Sequence, residues 1–322
     1  MSRTAFLFPG QGSQIVGMGR DLYDSRAEAR DLFSRANEAL GFDLARLCFE
    51  GPEAELTLTA NLQPALLTTS LAAHAVLVAR SGLRPDVAAG HSLGEWTALV
   101  ALGALAFEDA VRLVRLRGTA MQEAVPAGRG AMGAVLGLEG DTVAKVCAEV
   151  SAAGDGVVVP ANYNGAGQVV ISGDREAVGR AIPALKAAGA KRVLPLPVSA
   201  PFHSPLMAKA AGRLAAALEG VPIRAPRVPV IGNVDARPCV EPARLRARLV
   251  EQVASPVRWE ASLLAMAEMG VTHFVEVGPG KVLTGIVKRM IGGARVTACG
   301  RLEEIEALAA EFPGAQAAGV RA

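Results

Sequence analysis

The chain has 322 residues, 51% of them hydrophobic and 20% charged, a composition that builds a large folded core and excludes a disordered polypeptide. A formal net charge of +2 provides no electrostatic footprint for a nucleic acid or a membrane surface, so neither is expected as a partner. Cys48, Cys147, Cys239 and Cys299 are scattered without disulfide or metal spacing, which implies a reducing, cytoplasmic setting and no bound metal.

The first apolar run, Ala5-Phe6-Leu7-Phe8, stops at Pro9-Gly10, so no signal peptide is expected. It predicts a strand over 4–8, followed by the glycine-rich turn Pro9-Gly10-Gln11-Gly12-Ser13. Helical periodicity follows over 25–40 and 64–80. The second of these carries the longest apolar tract, 65–79, which Thr68, Thr69, Ser70 and His74 interrupt. That tract falls short of the ~20 residues a membrane span needs and reads as a central buried helix. Val87-Ala88-Ala89 predicts a buried strand, the segment from Trp96 a helix, and 107–124 another helix. This βα rhythm predicts a mainly parallel sheet covered on both faces.

The pattern changes at Pro126-Ala127-Gly128-Arg129-Gly130. Strands are expected over 131–138, 157–163, 168–172 and 192–198, with helices over 141–152 and 174–188, the latter with Asp174 as N-cap. The order βαββαβ is the ferredoxin-like pattern. The expected organisation is therefore α/β: a large α/β-hydrolase-like subdomain of residues 1–127 and 199–322, and an inserted ferredoxin-like subdomain of residues 128–198. Beyond the insert, helices are expected over 204–218, 242–253, 259–269, 281–291 and 303–311, and strands over 228–233, 272–277 and 295–298. The stretch 314–322 reads as a loosely held tail. A cleft between core and insert is the favoured ligand site.

Gly90-His91-Ser92-Leu93-Gly94-Glu95 has the Gly-x-Ser-x-Gly form between a strand and a helix, the context of a nucleophile elbow. A plain N-cap serine fits the same letters. Among the four histidines, His74 lies in the apolar helix and His273 opens a strand, and both read as structural. His91 adjoins the serine and should point away from it. His203 lies in the proline-framed loop Ala200-Pro201-Phe202-His203-Ser204-Pro205, where the insert returns, and is either the base or a cap on the next helix. Arg117 falls in line with Ala110, Leu113, Ala120 and Ala124, off the polar stripe of its helix. It must meet an anion there, from a substrate carboxylate or from a structural ion pair. The 9–13 turn lacks the ending of a P-loop and the spacing of a dinucleotide fingerprint. It is a simple turn, a weak phosphate loop, or a donor of a backbone N–H to an oxyanion.

Together these residues resemble the malonyl-CoA:acyl carrier protein transacylase family, which includes the acyltransferase domains of polyketide synthases. The resemblance runs from Phe8-Pro9-Gly10-Gln11-Gly12-Ser13-Gln14 to about Arg289 through the elbow, Ala161-Asn162-Tyr163-Asn164, Gly167-Gln168-Val169-Val170, Ala200-Pro201-Phe202-His203, Asn233-Val234-Asp235-Ala236, Ser255-Pro256-Val257-Arg258-Trp259 and Glu276-Val277-Gly278-Pro279-Gly280. It implies Ser92 as nucleophile, His203 as base, Arg117 on the malonyl carboxylate and the amides of Gln11 and Leu93 as oxyanion hole. It further implies that Gln252 orients His203 through its carbonyl, that Phe202 narrows the pocket against an α-methyl, and that His91 and Asn162 support the site. Malonyl-CoA and an acyl carrier protein are the implied partners of a monomer without cofactor, the phosphopantetheine arriving on the carrier. Lys191, Arg192, Lys281, Lys288 and Arg289 are candidate contacts for an acidic carrier. Gly165-Ala166 stands where the family commonly has Ser-Pro, a departure that bears on carrier docking. A serine hydrolase releasing the acyl group to water, an acyltransferase serving a polyketide carrier, and a non-catalytic carrier-binding protein are the competing classes.

Overall fold

A computed structural model of the protein describes residues 3–198 and 200–312; the tail expected at 314–322 lies outside the described residues. The strands are β1 (Arg3–Phe8), β2 (Val87–Gly90), β3 (Gly130–Leu136), β4 (Val158–Gly165), β5 (Gln168–Asp174), β6 (Arg192–Pro195), β7 (Val230–Ile231), β8 (Pro238–Cys239), β9 (Val271–Val277) and β10 (Arg295–Cys299). They form two sheets, one of six strands in the order β10-β9-β1-β2-β7-β8 and one of four in the order β4-β5-β3-β6.

The six-stranded sheet is parallel except for β8. β1 lies inside it, with Phe8 in register with Gly90 of β2 and Leu7 with Glu276 of β9. The turn after β1, the elbow after β2 and the Gly278-Pro279-Gly280 turn after β9 therefore emerge at the same sheet end, where open parallel sheets bind ligands. Helices cover both faces, which is why Ala5, Phe6, Leu7 and Phe8 are all fully buried rather than alternating.

The helix Thr59–Ser81 crosses the core. It is the one helix among the described residues long and apolar enough to cross a membrane, yet 78% of its most apolar window is buried inside the protein. Its expected start at Pro64 is corrected: the helix begins at Thr59 and takes Pro64 into its interior, where the ring withholds one backbone donor. The earlier turn packs on the helix Phe107–Glu123, and a Cβ on Gly118 would lie 2.6 Å from the carbonyl oxygen of Thr59. Gly118 is what lets these two helices approach.

The four-stranded sheet is antiparallel throughout, and its elements follow in the expected βαββαβ order, with the helices Gly140–Ala152 and Arg175–Ala187. Val135, Val143, Ile171, Ala181 and Leu185 form its own apolar core. Asp174 occupies the N-cap position without capping by its side chain, which instead accepts from the amide of Val157 at 2.8 Å. β6 stops at Pro195, short of the expected 198, because Pro195 and Pro197 cannot donate to a ladder. The helix expected from 204 is broken into a 3-10 turn, Pro205–Met207, and the α-helix Ala208–Leu218. β7 spans two residues rather than six, since the chain turns at Gly232 to pair with β8. Arg20–Ser25, Leu44–Glu50 and Glu53–Leu56 are short helices without enough apolar period to be read from sequence. β4 is tied to the segment before the helix Trp259–Glu268 at Val257, whose amide donates to Ala161 at 2.8 Å and whose carbonyl accepts from Tyr163 at 2.9 Å.

Candidate active site

The elbow has glycines where nothing else fits. A Cβ on Gly90 would lie 1.9 Å from the carbonyl carbon of Gly94, and one on Gly94 would lie 2.0 Å from the carbonyl oxygen of Phe8. Strand and helix therefore meet at backbone distance, and Ser92 between them takes φ 50° and ψ −103°. Such a strained serine is the signature of an exposed nucleophile at a strand-to-helix turn. Gly10 extends the same close packing to the first turn, since its Cβ would lie 2.4 Å from the carbonyl oxygen of His91. Gln11 follows this contact and lines the cleft. Leu93 opens the helix Leu93–Ala101; the amides of Gly94 and Glu95 behind it donate to His91 at 2.9 Å and Ser92 at 3.2 Å.

His203 arrives from the loop after the four-stranded sheet, also with a positive φ, 57°. Its Nε2 lies 2.7 Å from Ser92 Oγ, and its Nδ1 lies 2.8 Å from the backbone carbonyl oxygen of Gln252. A carbonyl only accepts, so Nδ1 carries the proton and Nε2 is left as an acceptor for the serine hydroxyl. Burial, reinforced by the charge of Arg117, pushes the imidazole pKa down to about 3. It is neutral at physiological pH, with Nε2 free of a proton.

Arg117 is 2% exposed, on the inner face of its helix. One guanidinium nitrogen donates to Gln63 Oε1 at 2.8 Å, and the other to Gln252 Oε1 at 2.9 Å and Ser92 Oγ at 3.1 Å. Every one of these acceptors is neutral, Nε has no partner, and among the described residues no carboxylate forms an ion pair with Arg117. Burial lowers its pKa to about 10, which leaves it cationic. A desolvated cation without an anion is costly unless an anion is delivered to it.

Gln252 is fully buried and does more than offer its carbonyl. Its Nε2 donates to Glu95 Oε2 at 2.7 Å and to the carbonyl of Ser92 at 3.0 Å, and lies 3.3 Å from Asn233 Oδ1. Asn233 accepts from the amide of Ser92 at 2.7 Å and donates to the carbonyl of Gly90 at 2.7 Å. The elbow is held from beneath by the side chains of two other segments, Asn233 and Gln252.

The remaining expected residues divide. Phe202, buried beside His203, and Asn162 on β4 both line the cleft, which has a volume of about 450 Å³. The His91 ring binds Asn164 Oδ1 through Nε2 at 2.9 Å and meets the Trp259 ring edge-on at 5.5 Å, so it engages β4. His74 packs edge-on against Phe6 and Phe8, and His273 lies 2.9 Å from Thr297 Oγ1; neither joins the cleft lining. Lys191, Arg192, Lys281, Lys288 and Arg289 are exposed and outside the cleft lining, and Lys281 pairs with Glu304 at 2.7 Å. Gln63, Glu95 and Asn233 are the polar residues that sequence reasoning missed. A lone buried amide before Pro64 and the acid closing the elbow motif were the available signals.

A family model described as acyl transferase domain matches residues 5–315. The malonyl CoA-acyl carrier protein transacylase of Escherichia coli K12 is 50% identical over 310 residues, which cover 96% of this chain and 99% of that one. The Bacillus subtilis 168 protein of the same name is 50% identical over 306 residues, 95% and 96% of the two chains. The solved transacylase of Coxiella burnetii superimposes with a TM-score of 0.93 at 43% identity, covering 97% of this chain and 98% of that one. A malonyl-transacylase solved in complex with a type II PKS acyl-carrier protein gives 0.93 at 44% identity, covering 96% and 100%. The fold at this level is a mixed α/β protein with a mainly parallel sheet and a separate antiparallel one. With relatives half identical from end to end, the chain belongs to the malonyl CoA-acyl carrier protein transacylase family.

Proposed function

We infer that this enzyme transfers the malonyl group of malonyl-CoA to the phosphopantetheine thiol of an acyl carrier protein in fatty-acid synthesis, through a malonyl-Ser92 ester. The observation that carries this reading is Arg117, buried, cationic, ion-paired with no carboxylate among the described residues and 3.1 Å from Ser92 Oγ. In a malonyl ester the free carboxylate is separated from the acyl carbon by one methylene. A guanidinium that close to Oγ meets it, and its planar donors fit a carboxylate.

Ser92 Oγ attacks the thioester carbonyl carbon while His203 Nε2 takes the hydroxyl proton. The developing oxyanion is received by the amides of Gln11 and Leu93. Collapse breaks the C–S bond, and the CoA sulfur leaves with the proton from His203. The carrier thiol then gives its proton to Nε2 and attacks the ester, and Ser92 recovers its proton as the acyl group departs on sulfur. Nδ1, fixed on the Gln252 carbonyl, keeps the imidazole in one tautomer through both halves, so a Ser-His dyad suffices. Arg117 disfavours acetyl and longer simple acyl groups, which leave it buried and unpaired. Phe202 narrows the site against an α-methyl.

The wider reading follows. Residues 1–127 and 199–322 form a large α/β-hydrolase-like subdomain, and residues 128–198 a ferredoxin-like one; the strand order β4-β5-β3-β6 and its antiparallel pairing support the latter. The enzyme acts as a cytoplasmic monomer, without resident cofactor or metal and without nucleic acid or membrane, and Lys191, Arg192, Lys281, Lys288 and Arg289 contact the carrier. A polyketide carrier is the second reading, favoured by the relative solved with a type II PKS carrier. Intact mass after mixing with malonyl-CoA tests the main one: a malonyl adduct is expected on the wild type and not on Ser92→Ala. No adduct on the wild type overturns it.

A further inference from the structure

The acid that closes the elbow motif is used by no step of this chemistry, yet it is 1% exposed and bonded to the Gln252 amide that touches Arg117. Glu95 lies in the first turn of the helix that follows Ser92. Its Oε2 accepts from Gln252 Nε2 at 2.7 Å and from the Asn233 amide at 3.1 Å. A glutamine side chain has one accepting and one donating end, and the carboxylate takes the donating end. The accepting end, Oε1, must then face the other way, where it meets Arg117 at 2.9 Å. With the amide reversed, two donors would face each other at Arg117, and two acceptors would face each other at Glu95.

We propose that Glu95 is a positioning residue for malonyl selectivity: by holding the Gln252 amide in one orientation it keeps the Arg117 guanidinium aimed at the acyl group on Ser92. The selection rests on the reading of Arg117 as the carboxylate clamp. Three observations support it. The bond to Glu95 is the shortest of the three that Gln252 Nε2 makes. Glu95 Oε2 also accepts from the backbone amide of Asn233 at 3.1 Å, so the acceptor is itself anchored where it meets the Gln252 amide. The only other support for the guanidinium among the described residues, besides Ser92 itself, is Gln63.

The test compares Ser92 acylation by malonyl-CoA and by acetyl-CoA, each followed as adduct mass against time. Glu95→Met removes the acceptor at similar volume. It should lower kcat/KM for malonyl-CoA about tenfold or more and that for acetyl-CoA less than about threefold, the scale of one hydrogen bond to a charged group. Glu95→Gln can still present an oxygen to both donors and should restore the wild-type ratio. Glu95→Asp keeps the charge but retracts the acceptor, and should shift the ratio in the direction of Glu95→Met. It answers the question even where Glu95→Met fails to fold. Parallel falls for both acyl groups, or an unchanged malonyl-to-acetyl ratio in Glu95→Met or Glu95→Asp, would overturn the proposal, as would Glu95→Gln matching Glu95→Met. Failure of the underlying reading is distinct, because Arg117→Ala would then lower malonyl and acetyl acylation equally.

Discussion

The cleft wall built on the six-stranded sheet carries Ser92, His203, Arg117 and Gln252 in mutual hydrogen bonds, whereas the wall built on the four-stranded sheet offers Met132, Val170, Asn162 and Asn164. The first wall is polar, buried and strained: Ser92 and His203 both hold a positive φ, and Glu95, Arg117, His203, Asn233 and Gln252 are all withdrawn from solvent. The second is an ordinary sheet face over its own apolar core. Strain and desolvation are tolerated where the surrounding fold over-determines them, and here that is the parallel sheet with its glycine contacts. Chemistry is thus concentrated on one wall, while the other gives shape and closure.

Substitutions across the cleft should respect this division. The largest effect is expected at Ser92→Ala, where transfer should fall by at least about a thousandfold with no acyl adduct in the mass spectrum. A covalent adduct persisting in that variant would move the nucleophile elsewhere. Arg117→Ala comes next: malonyl transfer should drop about a hundredfold or more, the cost of removing one partner of a buried charge contact, while acetyl transfer rises relative to it. Competition assays with both thioesters read this directly, and equal loss for the two acyl groups would make Arg117 structural.

The state of the base sharpens the same contrast. An ordinary imidazole titrates at 6.5, whereas burial holds His203 at about 3, so it stays unprotonated as the solution is acidified through 6.5. Between about pH 6.5 and about pH 5 the rate of Ser92 acylation should fall less than about threefold, where an unshifted base would lose about sixteenfold. A stopped-flow pH series that followed a midpoint of 6.5 would mean that water reaches the ring. On the opposite wall, Val170→Ala should alter kcat/KM less than about tenfold, since it trims a partly apolar surface and touches no hydrogen bond of the dyad. A loss there as large as at Arg117 would erase the distinction between the walls.

Much of the chemical wall was legible in the sequence because its signals are local. The elbow motif carries its strand and helix beside it, and Arg117 breaks the pattern of its own helix by standing among Ala110, Leu113 and Ala120. His203 was legible through its proline-framed loop. The rest depends on meetings across the chain. Gln252 and Ser92 are 160 residues apart, and Asn233 and Glu95 are 138 apart. A lone glutamine on an amphipathic helix carries no mark of which way its amide will face. The βαββαβ order was read correctly from punctuation by glycine and proline, while the lengths of β6 and β7 were overestimated, since Val-rich segments continued past the prolines and glycine that end the pairing. Pro64 misled in the other direction, because a first-turn preference is weaker than the packing that draws Thr59 onto Gly118.

The central claim is that the dyad passes a carboxylated acyl group to a thiol rather than to water. It is tested most directly by loading the enzyme with malonyl-CoA, removing free CoA, and following the malonyl-Ser92 mass with and without a phosphopantetheinylated carrier protein. The account predicts an adduct that persists in buffer and leaves rapidly onto the carrier. Loss to free malonate at one rate in both mixtures, with no malonyl-carrier formed, would contradict it.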